Sequence, residues 1–262
     1  MLKFAANLTM MFNEVEFPER FGEASRAGFR GVEYLFPYAY PAAELAEALR
    51  THGLTQALFN CPPGDWSNGE RGLAALPGRE QEFRANLDTA LEYARVLDCR
   101  TLHVMAGIPE PAVSPDSAWN VYLENLRIAA SRAANEGRVV VIEPINTRDM
   151  PGYFLKHSEQ ARRAIEAVGA DNLGLQLDLY HCQIMEGDLA THLWELKHLI
   201  RHIQIAGVPE RHEPDQGEVC YEYLFKVIES LNYPGWIGCE YRPQGATVDG
   251  LGWFHKRQEA AS

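Results

Sequence analysis

No two of the five cysteines, Cys61, Cys99, Cys182, Cys220 and Cys239, form a CxxC pair, and their number is odd. That argues against a disulfide framework or a thiolate zinc site and for reduced thiols in a cytosolic setting. Positive charge is also scarce. With Lys+Arg 24 against Asp+Glu 36 the net charge is -12, which disfavours a surface that tracks nucleic-acid phosphates and leaves small metabolites as expected partners. No uncharged apolar run is long enough to span a bilayer. The opening stretch MLKFAANLTMMFNEVEF has no small-residue cleavage site and turns acidic by Glu14, so it reads as a first strand and not as a signal peptide. No glycine-rich fingerprint follows that strand, so an open doubly wound sheet with a nucleotide crevice is the second choice of architecture.

What is there is alternation. Eight short β-rich runs, LKFAANL, GVEYLF, LTQALFN, TLHVMAG, VVVIEPI, LGLQLDL, HIQIAG and WIGCEY, are separated by stretches with apolar residues at helical spacing. Those stretches run from Phe17 to Ala27, Pro41 to His52, Arg79 to Leu97, Ser117 to Glu136, Ser158 to Val168, Asp188 to Leu199 and Tyr221 to Leu231. Gly28, Gly53, Gly137 and Gly169 follow helical patterns where a left-handed cap is expected. Eight strands, seven intervening helices and a short tail, with no linker or shift of composition, predict a single (β/α)8 TIM barrel over residues 1–262. One connection is long: CPPGDWSNGERGLAALPGR, from Cys61 to Arg79, which reads either as a lid or as a surface or subunit-contact loop. Its Asp65, Trp66 and Arg71 are the side chains to follow, and its apolar residues are compatible with a homodimer or homotetramer.

Glu143, Asp178, Gln204 and Glu240 stand at or near the ends of the fifth to eighth runs. A carboxylate at the tail of a buried strand is costly unless paired, hydrogen-bonded or metal-bound. Singly, each has an ordinary reading as a helix cap, an ion-pair partner or a polar loop residue. In a βα barrel, however, successive strand ends converge on one pocket. Three carboxylates and one amide oxygen make an all-oxygen set suited to a divalent cation, Mg2+ or Mn2+. Two glutamates beside such an ion suit proton transfer next to a carbonyl, with Glu143 and Glu240 reaching a substrate from opposite sides through an enediolate. His181, three residues after Asp178, is the candidate to contact a substrate oxygen, with a packed structural histidine as its plainer alternative, and His103 on the fourth strand is positioned to point inward.

The segments FAANLTMMF, LFNCPPGDWSNGERGLAALPGRE, HVMAG, IEPIN, QLDLYH, HIQIAG and IGCEY resemble the hydroxypyruvate isomerase family, within the xylose-isomerase-like barrel superfamily, over almost the whole chain. The resemblance implies that Glu143 and Glu240 act as proton donor and acceptor, and that Glu143, Asp178, Gln204 and Glu240 hold the family's divalent metal. It also implies a small oxo-hydroxy acid substrate: hydroxypyruvate, exchanged with tartronate semialdehyde, or 2-oxotetronate, exchanged with 3-oxotetronate. Such a substrate needs a cation for its carboxylate, and Arg71, Arg148, Arg211 and Arg242 are the candidates, each equally readable as a surface arginine. Ketose 3-epimerases of the same superfamily share Glu143, Asp178, His181 and Glu240 but place histidine where Gln204 stands, which favours the isomerase branch. An epimerase acting on free sugar, or a non-catalytic sugar-acid binder, are the alternatives. Endonuclease IV-like members use many strand-end histidines that this sequence lacks.

Overall fold

Eight parallel strands hydrogen-bond in chain order and close on themselves: β1 (Lys3–Asn7), β2 (Gly31–Tyr34), β3 (Thr55–Asn60), β4 (Thr101–His103), β5 (Val139–Ile142), β6 (Leu173–Asp178), β7 (Ile200–Ile205) and β8 (Trp236–Cys239). The computed structural model describes residues 2–259. β8 completes the ring by pairing with β1, Lys3 opposite Trp236 through Ala6 opposite Cys239. Short, β-branched, almost wholly buried strands such as VVVI are what a parallel barrel demands, since one face meets the interior and the other meets helices.

Helices α1 (Phe17–Arg26), α2 (Ala42–His52), α3 (Glu80–Val96), α4 (Pro115–Ala134) and α5 (Ser158–Val168) form the first part of the outer layer. Each buries one stripe, as α5 does with Ala161, Ala164 and Ile165. Gly53 and Gly169 take the left-handed conformation that ends α2 and α5. The expected barrel is therefore the observed one, with differences confined to boundaries and two added helices. α4 starts earlier than Ser117 because Ser114 caps it, its hydroxyl accepting the Ser117 N–H at 3.2 Å.

Between β6 and β7 the chain forms two short helices, α6 (Leu179–Met185) and α7 (Leu189–Glu195), where one helix over Asp188–Leu199 is expected from sequence. The apolar run of β6 continues into LYHCQIM without a break in pattern, which conceals α6. Its start signal is Asp178 itself, whose Oδ1 accepts the Tyr180 N–H at 2.8 Å. After α8 (Tyr221–Ser230) and β8, the predicted tail is a helix, α9 (Gly252–Glu259). Phe254 of α9 stacks on Phe29 with ring centroids 4.2 Å apart, and Trp253 meets Phe4 edge-on at 5.3 Å, so α9 seals the β1–β8 seam. Trp253→Ala should therefore cost about 3–5 kcal/mol of stability, read as a lowered urea midpoint at unchanged slope.

All five cysteines are free, four of them buried. Among the described residues no helix is long and apolar enough to cross a membrane.

Candidate active site

At the carboxyl ends of the strands lies a cavity of about 780 Å3, lined by residues from most of the βα connections, among them Asn60, Met105, Glu143, His181, Arg211 and Glu240. Glu143 directly follows β5, Asp178 ends β6 and Glu240 directly follows β8. One ligand atom from each of Glu143, Asp178, Glu240 and His181 lies within 4.8 Å of the other three, and all four residues are buried. Gln204 sits opposite Asp178 in the β6–β7 register and is itself buried. Its Oε1 accepts from Gln176 Nε2 at 2.6 Å and its Nε2 donates to Glu33 Oε1 at 2.8 Å.

The electrostatics follow from burial. Desolvation, reinforced by Glu240 and Asp178, holds the Glu143 carboxyl well above the usual carboxylate range. Desolvation also lifts Glu240 to about 8 and Asp178 to about 6, in each case opposed by the Arg211 guanidinium. Arg211 Nη2 stands 2.6 Å from Glu240 Oε2 and 3.4 Å from Asp178 Oδ2, and its guanidinium lies over the Tyr180 ring, 4.7 Å from the centroid. Its backbone is left-handed at φ 61, a strained conformation that turns the side chain inward across the strand ends. Once ionised, three carboxylates against one guanidinium would leave the cluster two negative charges in excess, the donor chemistry a hard divalent cation fits.

Both buried histidines near the cluster are neutral. Burial pushes His103 down to about 3 and His181 well below its ordinary range. For His181 the proton can be placed. Asn146 Oδ1 accepts the Asp149 N–H at 2.8 Å, so the Asn146 amide nitrogen faces His181 Nδ1 at 2.6 Å. Nδ1 accepts, and the single imidazole proton sits on Nε2, which points at Asp178 Oδ2, 3.5 Å away.

The four arginines separate. Arg211 is part of the carboxylate cluster; Arg71 and Arg242 line the cavity farther out. Arg148 does not line it, donating instead to the Tyr180 hydroxyl and the Pro209 carbonyl. Arg71 lies on the Trp66 ring, 3.9 Å from the centroid, and Trp66 packs edge-on against Phe36, so the long loop after β3 forms one wall of the cavity. That loop is pinned to the end of β4 by a bridge between Gly72 and Ala106; a Cβ on Gly72 would collide with the Met105 carbonyl. Asp65 caps the turn at Trp66–Asn68 and does not line the cavity.

Strand ends of the first half contribute residues that the sequence reading passes over. Asn7 donates to both Glu33 and Glu240, and Asn60 Oδ1 meets His103 Nδ1 at 3.1 Å. The signal for them is the one that exposed Glu143 and its companions, a polar residue closing an apolar strand, applied to β1 through β4.

A family model described as xylose isomerase-like TIM barrel matches residues 21–257. The 2-oxo-tetronate isomerase of Cupriavidus necator is 57% identical over 254 residues, covering 97% of this chain and 98% of that protein. The hydroxypyruvate isomerase of Escherichia coli (strain K12) is 46% identical over 254 residues, covering 97% and 98%. A crystal structure from Brucella melitensis, described as an AP endonuclease of family 2, superposes with a TM-score of 0.96 at 54% identity, covering 98% of this chain and 99% of that one.

Proposed function

We propose, from the premise that the chain belongs to the xylose isomerase-like TIM barrel family and within it to the hydroxypyruvate and 2-oxo-tetronate isomerases, that it moves a proton between C3 and C2 of a small 2-oxo-3-hydroxy acid. The observation that carries this reading is the meeting of two buried glutamates, Glu143 and Glu240, from strands β5 and β8, at one carboxylate cluster in an open cavity. Their raised proton affinity suits groups that must both take and return a proton near neutral pH.

In the proposed reaction one of the pair, Glu143 or Glu240, removes the C3 proton to give an enediolate, the C3 hydroxyl proton passes to the C2 oxygen, and the other glutamate delivers a proton at C2, after which proton exchange with solvent resets the pair. Glu143, Asp178, Glu240 and the carbonyl oxygen of Gln204 would hold a divalent cation such as Mg2+ or Mn2+. When bound, that ion supplies charge stabilisation for the carbonyl and the neighbouring hydroxyl oxygen. His181 is a poor ligand, because its proton is on Nε2; it serves as a neutral donor to a substrate oxygen. Gln204 keeps a free lone pair on Oε1 besides the one that accepts from Gln176.

Arg242 makes no side-chain hydrogen bond or ion pair among the described residues, whereas Arg71 is engaged with Trp66 and the carbonyls of Trp66 and Glu70. Arg242 is therefore the cation we assign to the substrate carboxylate. Arg242→Gln should raise KM about tenfold with kcat little changed, as expected for loss of one exposed charge-assisted contact.

The reading is tested by kcat/KM on 2-oxotetronate, hydroxypyruvate, fructose and tagatose, with solvent deuterium incorporation followed by NMR. Exchange at C2 and C3 of an oxo acid, with the four-carbon acid preferred, is the expected result. Turnover of the free sugars alone would assign a 3-epimerase, and tight oxo-acid binding without exchange a binding protein. The endonuclease name carried by the Brucella structure predicts instead cleavage of abasic DNA, which the net charge of -12 opposes.

A further inference from the structure

Glu33, on β2, takes no part in the chemistry proposed above, yet it is 0% exposed in the middle of the barrel. Three donors from two other strands converge on its two oxygens. Asn7 Nδ2 of β1 lies 3.1 Å and Gln204 Nε2 of β7 2.8 Å from Oε1, while His202 Nε2, also of β7, lies 2.7 Å from Oε2. The sheet is shaped to admit it. The β2–β3 register slips between Val32 and Glu33, and β8 carries Gly238 at the facing position, where a Cβ would collide with both Glu33 oxygens.

The consequences reach the cavity by two routes. By holding the amide nitrogen of Gln204, Glu33 turns the Gln204 carbonyl oxygen away from itself. By holding one hydrogen of Asn7 Nδ2, it leaves the other for Glu240 Oε1 at 3.2 Å, while Asn7 Oδ1 is fixed by the Thr9 N–H at 3.1 Å. Glu240 is thus gripped at Oε1 by Asn7 and at Oε2 by Arg211. We propose that Glu33 is a positioning residue that, through Asn7 and Gln204, sets the direction of the Glu240 carboxylate and of the Gln204 carbonyl oxygen. This rests on the isomerase reading for its kinetic consequence and on geometry alone for its structural one.

An amide in place of Glu33 could not accept at both oxygens, so Glu33→Gln must turn at least one of the three donors away. His202→Gln serves as the companion variant, disturbing the same buried pair while leaving the arms to Asn7 and Gln204. In full-length protein, Glu33→Gln should lower kcat on the oxo acid about 100-fold with KM within about threefold, and weaken Mn2+ binding, titrated by EPR, about tenfold. His202→Gln should lower Tm comparably yet keep kcat and Mn2+ affinity within about threefold of the parent. Side-chain amide NMR signals of Asn7 and Gln204 should be exchange-protected in the parent and in His202→Gln and lose that protection in Glu33→Gln. If Glu33→Gln does not fold, Asn7→Ala cuts the arm to Glu240 and should lower kcat with little change in Mn2+ affinity.

Retention of kcat, Mn2+ affinity and both amide signals in folded Glu33→Gln overturns the proposal. So does loss of activity that merely follows Tm across both variants. A parent that neither binds Mn2+ nor turns over oxo acids sinks the isomerase reading instead, and the amide signals still decide whether Glu33 holds Asn7 and Gln204.

Discussion

Glu143→Gln and Glu240→Gln should each lower kcat on the preferred oxo acid by about 10²–10⁴-fold, the usual worth of a positioned proton-transfer group. Circular dichroism and chromatographic behaviour should match the parent. The physical reason is that both side chains are buried, so an isosteric amide preserves shape and packing while losing the ability to accept a carbon-bound proton. Stability should move the other way in chelator-treated protein. Removing one of three crowded carboxylates relieves desolvation and mutual repulsion, so Glu143→Gln should melt no lower than the parent, whereas Glu240→Gln also takes a partner from the buried Arg211 and should gain less. Full turnover in both variants would remove the two glutamates from the mechanism. If one variant alone exchanged solvent deuterium into substrate without forming product, that residue would be the group that completes the second step.

Chelation should abolish turnover, Mg2+ or Mn2+ should restore it, and the melting temperature should reveal the same ion through its dependence on pH. The sign is fixed by the direction of the shifts. Glu240 and Asp178 rise from ordinary values of 4.5 and 3.8 to about 8 and about 6, and Glu143 rises as well, so between those limits the folded protein holds more protons than the unfolded chain. Stability contributed by these groups is full below their unfolded values and is lost as pH climbs through about 6 and then about 8. Carboxyls with depressed values, such as Glu14, Glu70 and Asp149, act in the opposite sense, but only at more acid pH, where they begin to protonate. The depressed His103 and His181 also act in the opposite sense, up to about pH 6.5, where the unfolded imidazoles lose their protons, so EDTA-treated protein should lose melting temperature chiefly from about pH 6.5 to pH 8. Added Mn2+ should raise it most at the alkaline end, because its binding displaces protons and its apparent affinity grows up to about tenfold per pH unit for each proton displaced. At 100 times its dissociation constant the ion would add about 2.7 kcal/mol. Calorimetry over that range with and without EDTA measures both effects, and a melting temperature indifferent to pH and Mn2+ would count against an ion held by these carboxylates.

The barrel was legible because its signal is repeated: eight apolar runs with seven amphipathic stretches between them leave few other closed arrangements. The helix at Leu179–Met185 was not, since a buried strand running straight into a buried helix shows no change of period and only the capping Asp178 marks the join. The site was half legible for a related reason. Glu143, Asp178 and Glu240 announce themselves because charge at a strand end is conspicuous. Asn7 and Asn60 do the same structural work as neutral amides, which sequence alone cannot separate from turn residues. Gln204 was found, but its commitment to Gln176 and Glu33 depends on register across three strands. The arginines show the limit most plainly. Nothing in the local sequence distinguishes Arg211, folded into the carboxylates by a left-handed backbone, from Arg148, which binds a carbonyl outside the cavity.

The pairing of Lys3 with Trp236 has a consequence for how the chain is made. Synthesised from its amino end, β1 finds β2 early, but its other edge has no native partner until β8 emerges. Until then, one row of unpaired backbone N–H and C=O groups and the apolar face of Phe4 are open to other chains. Contacts at the seam span more than 230 residues, a loop-closure requirement that slows this pairing and prolongs its exposure to aggregation. The aromatic cluster of Phe4, Phe225, Trp253 and Phe254 then acts as a latch on the newborn barrel, set only when the last helix arrives.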